Sequence, residues 1–435
     1  MTILNQFQKK IRSKEMKISV VGLGYVGLPL AMEFAKKGFR VLGIDTDKDR
    51  INRIKSRHSY ITDVPDRELK AVLKKGTLDA TTSFKPLKDI DIIIICVPTP
   101  LKMKYQPDIS FVREAIKSVA ENMKQKSLII LESTTYPGTT EEVILPIFEK
   151  KGLKHGEDFY LCFSPERIDP GNKDFPVQKI AKIVGGVNNE AAQLAKIAYE
   201  AVIAKVVPIS SVKVAETAKL LENTFRLVNI ALIDEITMMA EKLGINIWEV
   251  IDAAKTKPFG FMPFYPGPGV GGFCIPKDPM YLYWTAKKFG FKSRFIKLSQ
   301  GIISSMPGYV VQRLEAVLKK RGGLLRGASV LVCGVTYKKD VKDLRKSPAL
   351  DIIQLLQRSG ATVSYYDPMI PYLKLDGINL KNTVMSKART GKFDCALITT
   401  DHTSVDYSLI LDRSSFVFDT RNVFKGKKSD KIYRL

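Results

Sequence analysis

Cys274 stands in PGPGVGGFCIPKDP (266–279), a run of glycine and proline with Lys277 and Asp278 just after the cysteine. Small residues let a substrate approach the sulfur, and a neighbouring ammonium lowers a thiol pKa toward the reactive thiolate. A nucleophilic thiol is one reading of this loop; a structural turn that happens to hold a cysteine is the other. The remaining cysteines, Cys96, Cys162, Cys333 and Cys395, sit inside apolar strand patterns and read as buried and inert. Lys219 and Asn223 lie four residues apart, on one face of a long helical pattern. There an ammonium and an amide can be aimed at a developing oxyanion; a solvated Lys–Asn pair satisfies the same spacing. The three histidines, His58, His155 and His402, lie in no glycine-rich or strand-end motif. Histidine acid–base catalysis is therefore poorly supported, and proton transfer falls to Lys, Asp, Glu or water.

A second constellation supplies a partner for the thiol. The β-branched run KISVVG (17–22) enters GLGYVG (22–27) and then an apolar helical pattern. In this strand–turn–helix, Gly22 permits the tight turn, Gly24 lets the backbone approach a pyrophosphate and Gly27 lets the helix pack close to the strand. A glycine turn with no ligand would look similar, but a second strand, FRVLGI (39–44), ends in Asp45, 23 residues after Gly22. A carboxylate there holds a ribose diol and repels a 2′-phosphate, which favours NAD over NADP. A thiol beside NAD implies specific chemistry. It adds to an aldehyde, the hemithioacetal gives up a hydride to become a thioester, and hydrolysis leaves an acid.

Continuous apolar runs at 90–97, 127–131, 159–163 and 180–184 continue the βα alternation and read as strands of a doubly covered parallel sheet. Their carboxyl ends carry PTP (98–100), ESTTYPGTT (132–140) and SPERID (164–169), where ribose, nicotinamide and substrate contacts or plain capping turns are equally at home. The pattern predicts a long helix over 211–243 that crosses between domains, with apolar surface left for a second subunit. From 326 the alternation restarts without a G-x-G-x-x-G. Strands are expected at 328–333, 362–366 (before Asp367), 393–399 and 416–419, around a loop bearing Lys338, Lys339, Lys342 and Arg345 with Asp340 and Asp343. That loop suits phosphates and ribose, or is a charged surface loop. The predicted class is α/β: two Rossmann-like doubly wound parallel-sheet domains joined by a long central helix. The expected divisions are 1–210, 211–306 with the cysteine loop, and 307–435.

The chain has 435 residues, 45% of them apolar, enough for two or three cores. No apolar run approaches the roughly 20 residues needed to cross a bilayer, so membrane insertion is not expected. Five widely spaced cysteines make neither a disulfide framework nor a metal site, which points to a reducing compartment, by default the cytoplasm. A net charge of +24 suits nucleic acid, an anionic membrane surface or small phosphorylated ligands. The basic residues are dispersed and not interleaved with aromatics, which argues against nucleic acid.

Taken in order, GLGYVGLP (22–29), VPTP (97–100), STTYPGTT (133–140), SPER (164–167), AETAKLLENTF (215–225), GPGVGGFCIPKDP (267–279) and GVTYKKDVKDLRKSP (334–348) closely resemble the UDP-glucose/GDP-mannose dehydrogenase family, from residue 16 to about 425. The resemblance implies that Cys274 is the thioester nucleophile, with Lys219 and Asn223 stabilising the oxyanion. It implies that Asp278 positions or activates water, that Thr134 helps hold the water network, and that Glu166 handles thioester hydrolysis or the substrate. NAD contacts would come from Gly22, Gly24, Tyr25, Val26, Gly27, Asp45, Pro98, Thr99, Ser133, Thr134 and Arg345. Substrate contacts would come from Glu166, Arg167, Lys219, Asn223, Gly271 and Lys338, the last on the nucleotide. It further implies a homodimer, two NAD consumed per sugar and no metal. SPERIDPGN (164–172) and PFYPGPGVGGFCIPKDP (263–279) look most like the branch acting on UDP-N-acetylhexosamines, UDP-N-acetylglucosamine foremost. UDP-glucose and then UDP-N-acetylmannosamine follow as substrates. That branch usually has a histidine before the cysteine, where this chain has Phe273. A non-catalytic nucleotide-binding scaffold is the competing reading; it would lack the thiol or its helpers, and Cys274, Lys219, Asn223 and Asp278 are all present.

Overall fold

Four consecutive isoleucines, Ile92–Ile95, have no exposed surface, and their side chains alternate between two cores. Ile92 and Ile94 enter one apolar cluster with Ile18, Val20, Leu128 and Ile130. Ile93 and Ile95 enter another with Val21, Ile44, Ile129 and Leu131. A strand apolar on both sides is one covered by helices on both faces. The computed structural model, which describes residues 2–61, 63–102, 105–169, 174–375, 377–385 and 392–435, builds this sheet from eight strands. They are β1 (Lys17–Val21), β2 (Arg40–Ile44), β3 (Leu78–Thr81), β4 (Ile92–Ile95), β5 (Ser127–Leu131), β6 (Phe159–Phe163), β7 (Lys182–Gly186) and β8 (Val206–Ile209), in the order β3-β2-β1-β4-β5-β6-β7-β8. The strand order reverses at β1 and β4, which opens the ligand crevice of a doubly wound sheet at their carboxyl ends.

The expected parallel run is interrupted once: β7 pairs antiparallel with β6 through Cys162↔Gly186 and Phe163↔Gly185. Glycine is required at this junction, because a Cβ on Gly186 would lie 2.3 Å from the Asn188 carbonyl oxygen and one on Gly185 2.4 Å from that of Ser211. Apolar periodicity carries no information on strand direction, which is why the reversal is not legible in it.

The long helix forms over Val212–Lys242. By its contacts the chain divides into two compact units, Met1–Glu222 with Met280–Phe291, and Asn223–Pro279 with Lys292–Leu435. A second long helix, Arg294–Lys320, runs through Pro307, the residue at which the sequence suggested a domain edge. The second unit contains β9 (Ser329–Cys333), β10 (Thr362–Tyr366), a hairpin of β11 (Tyr372–Leu375) and β12 (Ile378–Lys381), β13 (Cys395–Ile398), β14 (Val417–Asp419) and β15 (Ile432–Arg434). Its five-stranded sheet, β10-β9-β13-β14-β15, is parallel throughout.

The two sheets repeat one device. In the first, the Gly22 N–H donates to the Ile44 carbonyl at 2.7 Å, and the Asp45 carboxylate accepts from the N–H groups of Leu23 (2.8 Å) and Asp47 (2.9 Å). In the second, the Gly334 N–H donates to the Tyr366 carbonyl at 2.8 Å, and the Asp367 carboxylate accepts from Val335 (2.7 Å) and Met369 (2.8 Å). A strand-end aspartate thus pins the turn after the neighbouring strand in both.

Candidate active site

The glycine turn of the first unit meets the geometric demands of a dinucleotide cradle. Gly22 has φ of +93° and a Cβ on Gly27 would lie 1.9 Å from the Gly22 carbonyl oxygen, so turn and helix start pack in contact. A Cβ on Gly24, by contrast, would meet no protein atom within 4 Å. Its glycine answers no packing need inside the chain, as expected where a ligand's phosphates approach the backbone. The helix Gly27–Lys36 begins at Val26 with no side-chain cap, so no side chain of its own competes with an anion for its positive end. Asp45 is buried and also pairs with the surface Arg50 at 3.1 Å. Tyr25 is exposed and Thr99 is buried, with its carbonyl accepting from the Tyr281 hydroxyl. Pro98 is exposed and Thr134 half-buried, while the Ser133 hydroxyl donates to the Val97 carbonyl at 2.7 Å. These residues fit NAD.

The SPER loop lies at the end of β6. The Glu166 carboxylate accepts from its own loop, through the N–H groups of Arg167 (2.6 Å) and Ile168 (2.5 Å). Arg167 is engaged by Glu222 at 2.5 Å and donates to the Ala181 carbonyl; Pro170, Gly171 and Asn172 of the same motif lie outside the described residues. Behind Glu166 stands a cluster that sequence reasoning missed. Lys182 Nζ lies 2.9 Å from Glu132 and 3.5 Å from Glu166. Burial pushes Glu132 up to about 7. Burial would raise Glu166 too, but the Lys182 ammonium, the Ile168 N–H and the Lys219 ammonium outweigh it and hold it below the ordinary glutamate range. The signal was present: a lysine inside an apolar two-sided strand, IAKIV, requires a buried counter-charge.

Glu216 is a second such residue. It sits one turn before Lys219 on the long helix, wholly buried, and accepts from the N–H groups of Gly138 (2.6 Å) and Thr140 (2.9 Å) and from the Thr140 hydroxyl (2.7 Å). It thereby anchors the STTYPGTT loop to the helix, and burial pushes it up to about 7. Lys219 is buried on the same helix.

In the second unit Cys274 is exposed, whereas Cys162, Cys333 and Cys395 are buried. Burial raises the thiols of Cys162, Cys333, Cys395 and Cys96 above the ordinary range, which leaves those four inert. The Cys274 carbonyl accepts from the N–H groups of Lys277 (3.1 Å) and Asp278 (2.8 Å), closing a tight turn at the start of the helix Asp278–Lys288. Asp278 is 1% exposed. One of its oxygens accepts from the Asn223 amide at 2.6 Å. The other lies 3.4 Å from Lys277 Nζ and has no hydrogen bond, which leaves a lone pair for a water. Asn223 and Asp278 are thus brought together as a pair.

The glycines of this loop serve packing. A Cβ on Gly271 would lie 2.6 Å from both the Lys346 carbonyl oxygen and Tyr337 Cβ, and the Gly272 N–H donates to the Arg345 carbonyl at 2.9 Å. The loop is thereby seated on the 334–348 segment. The Phe273 ring stands between two cations, with Lys277 Nζ 3.9 Å and Arg345 Cζ 5.5 Å from its centroid. The Arg345 guanidinium is gripped by Asp343 at 2.6 Å. The Lys338 carbonyl accepts from the Thr336 hydroxyl at 3.0 Å.

The reading of His402 as outside any strand-end motif is corrected. It is buried just past β13, its Nε2 3.0 Å from the Thr336 hydroxyl and 3.1 Å from Asp367, while its Nδ1 accepts from the Asp340 N–H at 3.1 Å. It orders the lysine-rich loop and occupies the carboxylate that corresponds to Asp45. The second cradle therefore does not offer a free diol-binding aspartate, and its ligand differs from the first. Among the described residues no group of His, Cys, Asp and Glu is arranged to hold a metal ion, and no helix is long and apolar enough to cross a membrane.

Comparison with known proteins agrees with these two cradles. Models of the UDP-glucose/GDP-mannose dehydrogenase family match throughout: the NAD binding domain over residues 16–203, the central domain over 213–302 and the UDP binding domain over 331–426. A UDP-N-acetyl-D-mannosamine dehydrogenase of Pyrococcus horikoshii is 37% identical over 96% of this chain and 98% of its own. A UDP-N-acetyl-D-glucosamine 6-dehydrogenase of Pseudomonas aeruginosa is 40% identical over 82% of this chain and 84% of its own. The solved structure of the Pyrococcus horikoshii UDP-D-ManNAc dehydrogenase superposes with a TM-score of 0.87 at 35% identity, covering 96% of this chain and 99% of that one. The chain therefore belongs to the UDP-glucose/GDP-mannose dehydrogenase family and is an NAD-dependent UDP-sugar dehydrogenase.

Proposed function

We propose that the enzyme oxidises the C6 alcohol of a UDP-N-acetylhexosamine, UDP-N-acetylglucosamine foremost, to the uronic acid in two hydride transfers. The observation that carries the reading is the exposed Cys274 thiol on a tight turn whose last residue, Asp278, is buried with one oxygen that makes no hydrogen bond. When bound, NAD accepts a hydride in each oxidation. The residues of the chain do the rest. The Cys274 thiolate adds to the aldehyde carbon, and Lys219 and Asn223 stabilise the oxyanion that develops there. Asp278 and Thr134 orient the hydrolytic water, Glu166 accepts its proton, and Arg167 supports the SPER loop. Lys338 and Gly271 serve the nucleotide-sugar, and Arg345 the NAD. UDP-N-acetylmannosamine is the second reading, favoured by the near full-length relative that bears that name.

The long helix supports a homodimer. Val214, Leu221, Phe225, Leu232 and Met239 are exposed on it; with Ala218 and Val228 they follow the alternating three-and-four spacing of a helix seam from Val214 to Leu232, and Met239 lies one heptad further on. The test of function is incubation of the purified enzyme with NAD and, separately, UDP-N-acetylglucosamine, UDP-N-acetylmannosamine and UDP-glucose. Two NADH and one uronic acid per sugar are expected from the preferred substrate. NAD binding without NADH from any of the three refutes the reading.

A further inference from the structure

Lys182 is an expensive residue where it stands. It lies in β7, its side chain 7% exposed, against Glu132 whose side chain is not exposed at all. Its ammonium also stands 4.8 Å from the centroid of the Tyr199 ring. The Tyr199 hydroxyl donates to one Glu132 oxygen, and the other Glu132 oxygen has no hydrogen-bond partner. Two carboxylates thus share the one ammonium of Lys182, and Glu132 keeps an oxygen without a hydrogen bond, where a proton can settle. A purely structural ion pair would need only one of the two glutamates.

We propose that Lys182 and Glu132 are positioning residues for Glu166: Lys182 holds its carboxylate ionised and aimed, and Glu132 takes up the proton that Glu166 receives during thioester hydrolysis. The inference rests on the hydrolytic role of Glu166 given above. In that step the water oxygen bonds to the thioester carbon and the C–S bond breaks with its electron pair returning to the Cys274 sulfur. The water proton passes to Glu166 and on to Glu132. The groups that face this centre are Lys182 from β7, Glu132 and Cys96 from the ends of β5 and β4, Tyr199 from the helix Asn189–Glu200 and Lys219 from the long helix. Lys182 and Lys219 are its cations, and Lys182 is the nearer in effect.

The test uses the whole enzyme with NAD and the sugar that the wild type oxidises. Three quantities are followed: the NADH burst per active site, the steady-state rate across pH, and the intact mass of the protein. Lys182→Met is expected to keep the burst and lose at least about tenfold in steady-state rate. It should carry a covalent nucleotide-sugar adduct, and the acid limb of its rate profile should move up by roughly 1–3 pH units. Lys182→Arg should restore most of the rate. Glu132→Gln, which preserves shape, should accumulate the same adduct without the upward shift. Loss of burst and steady state in proportion, with no adduct and an unmoved acid limb, overturns the proposal and leaves the cluster structural. Glu166→Gln separates the underlying reading: if that variant accumulates no adduct, Glu166 is not the hydrolytic base, whatever Lys182 does.

Discussion

Asp234→Asn is expected to stabilise the protein increasingly as pH rises. Asp234 lies on the long helix with no exposed surface. Its carboxylate accepts from the Gly267 N–H at 3.1 Å at the head of the cysteine loop, and its second oxygen has no hydrogen bond. Burial pushes it up to about 7, against the pull of that N–H and of Arg421. A carboxyl raised on folding binds its proton more tightly in the native state, so stability falls as pH climbs from the ordinary aspartate value to the raised one and is flat above it. The gap is roughly three units, which at about 1.4 kcal/mol per unit makes a penalty on the order of 4 kcal/mol above pH 7. Asparagine can still accept from Gly267 and has no charge to bury, so it escapes the penalty but forfeits the attraction to Arg421. Urea unfolding at pH 5, 6, 7 and 8 measures this. The variant should gain on the wild type by up to about 1.4 kcal/mol per pH unit, with no further gain above pH 7. A difference that is constant with pH, or that shrinks as pH rises, refutes the argument.

Cys274→Ser should keep NAD and nucleotide-sugar binding but lose nearly all acid production, because an alkoxide is hard to form near neutral pH; wild-type rates of acid by mass spectrometry would remove the covalent mechanism. Asp45→Ala should weaken NAD by roughly 10- to 100-fold, the worth of hydrogen bonds to a charged group, and relax discrimination against NADP. Identical cofactor constants for the two proteins would show that Asp45 serves the turn alone. Leu232→Arg places a charge in the exposed helix seam and should convert a dimer into monomers by sedimentation; an unchanged sedimentation coefficient would move the interface elsewhere.

The elements that bind by pattern were legible in the residues, and those that bind by enclosure were not. GLGYVG and the strand ending in Asp45 announce a dinucleotide cradle because its requirements are backbone ones: a positive φ at Gly22, contact at Gly27, open space at Gly24. The long helix was foreseen almost to its ends, since period alone defines it. The helix Arg294–Lys320 was not, because Gly301, Pro307 and Gly308 break the helical pattern while tertiary packing carries the helix through them. Lys182 left a signal, an ammonium inside an apolar strand, but not the identity of its partners; Glu132, Glu216 and Asp234 escaped notice because each is explained only by what lies across the core from it.

The two strand-end aspartates make the distinction sharpest. Asp45 and Asp367 occupy the same place in the same turn and hold it with the same pair of backbone bonds. Asp45 additionally faces Arg50, whose side chain is 42% exposed, so that this side of the carboxylate is bordered by solvent. Asp367 faces His402, which is completely buried and locked by Thr336 and the Asp340 N–H. What separates a cofactor cradle from a substrate cradle here is therefore the residue across from the carboxylate, 5 positions away in one case and 35 in the other. The nearer relation lies within reach of a local motif, whereas the farther one exists only once β10 and β13 have paired on either side of β9.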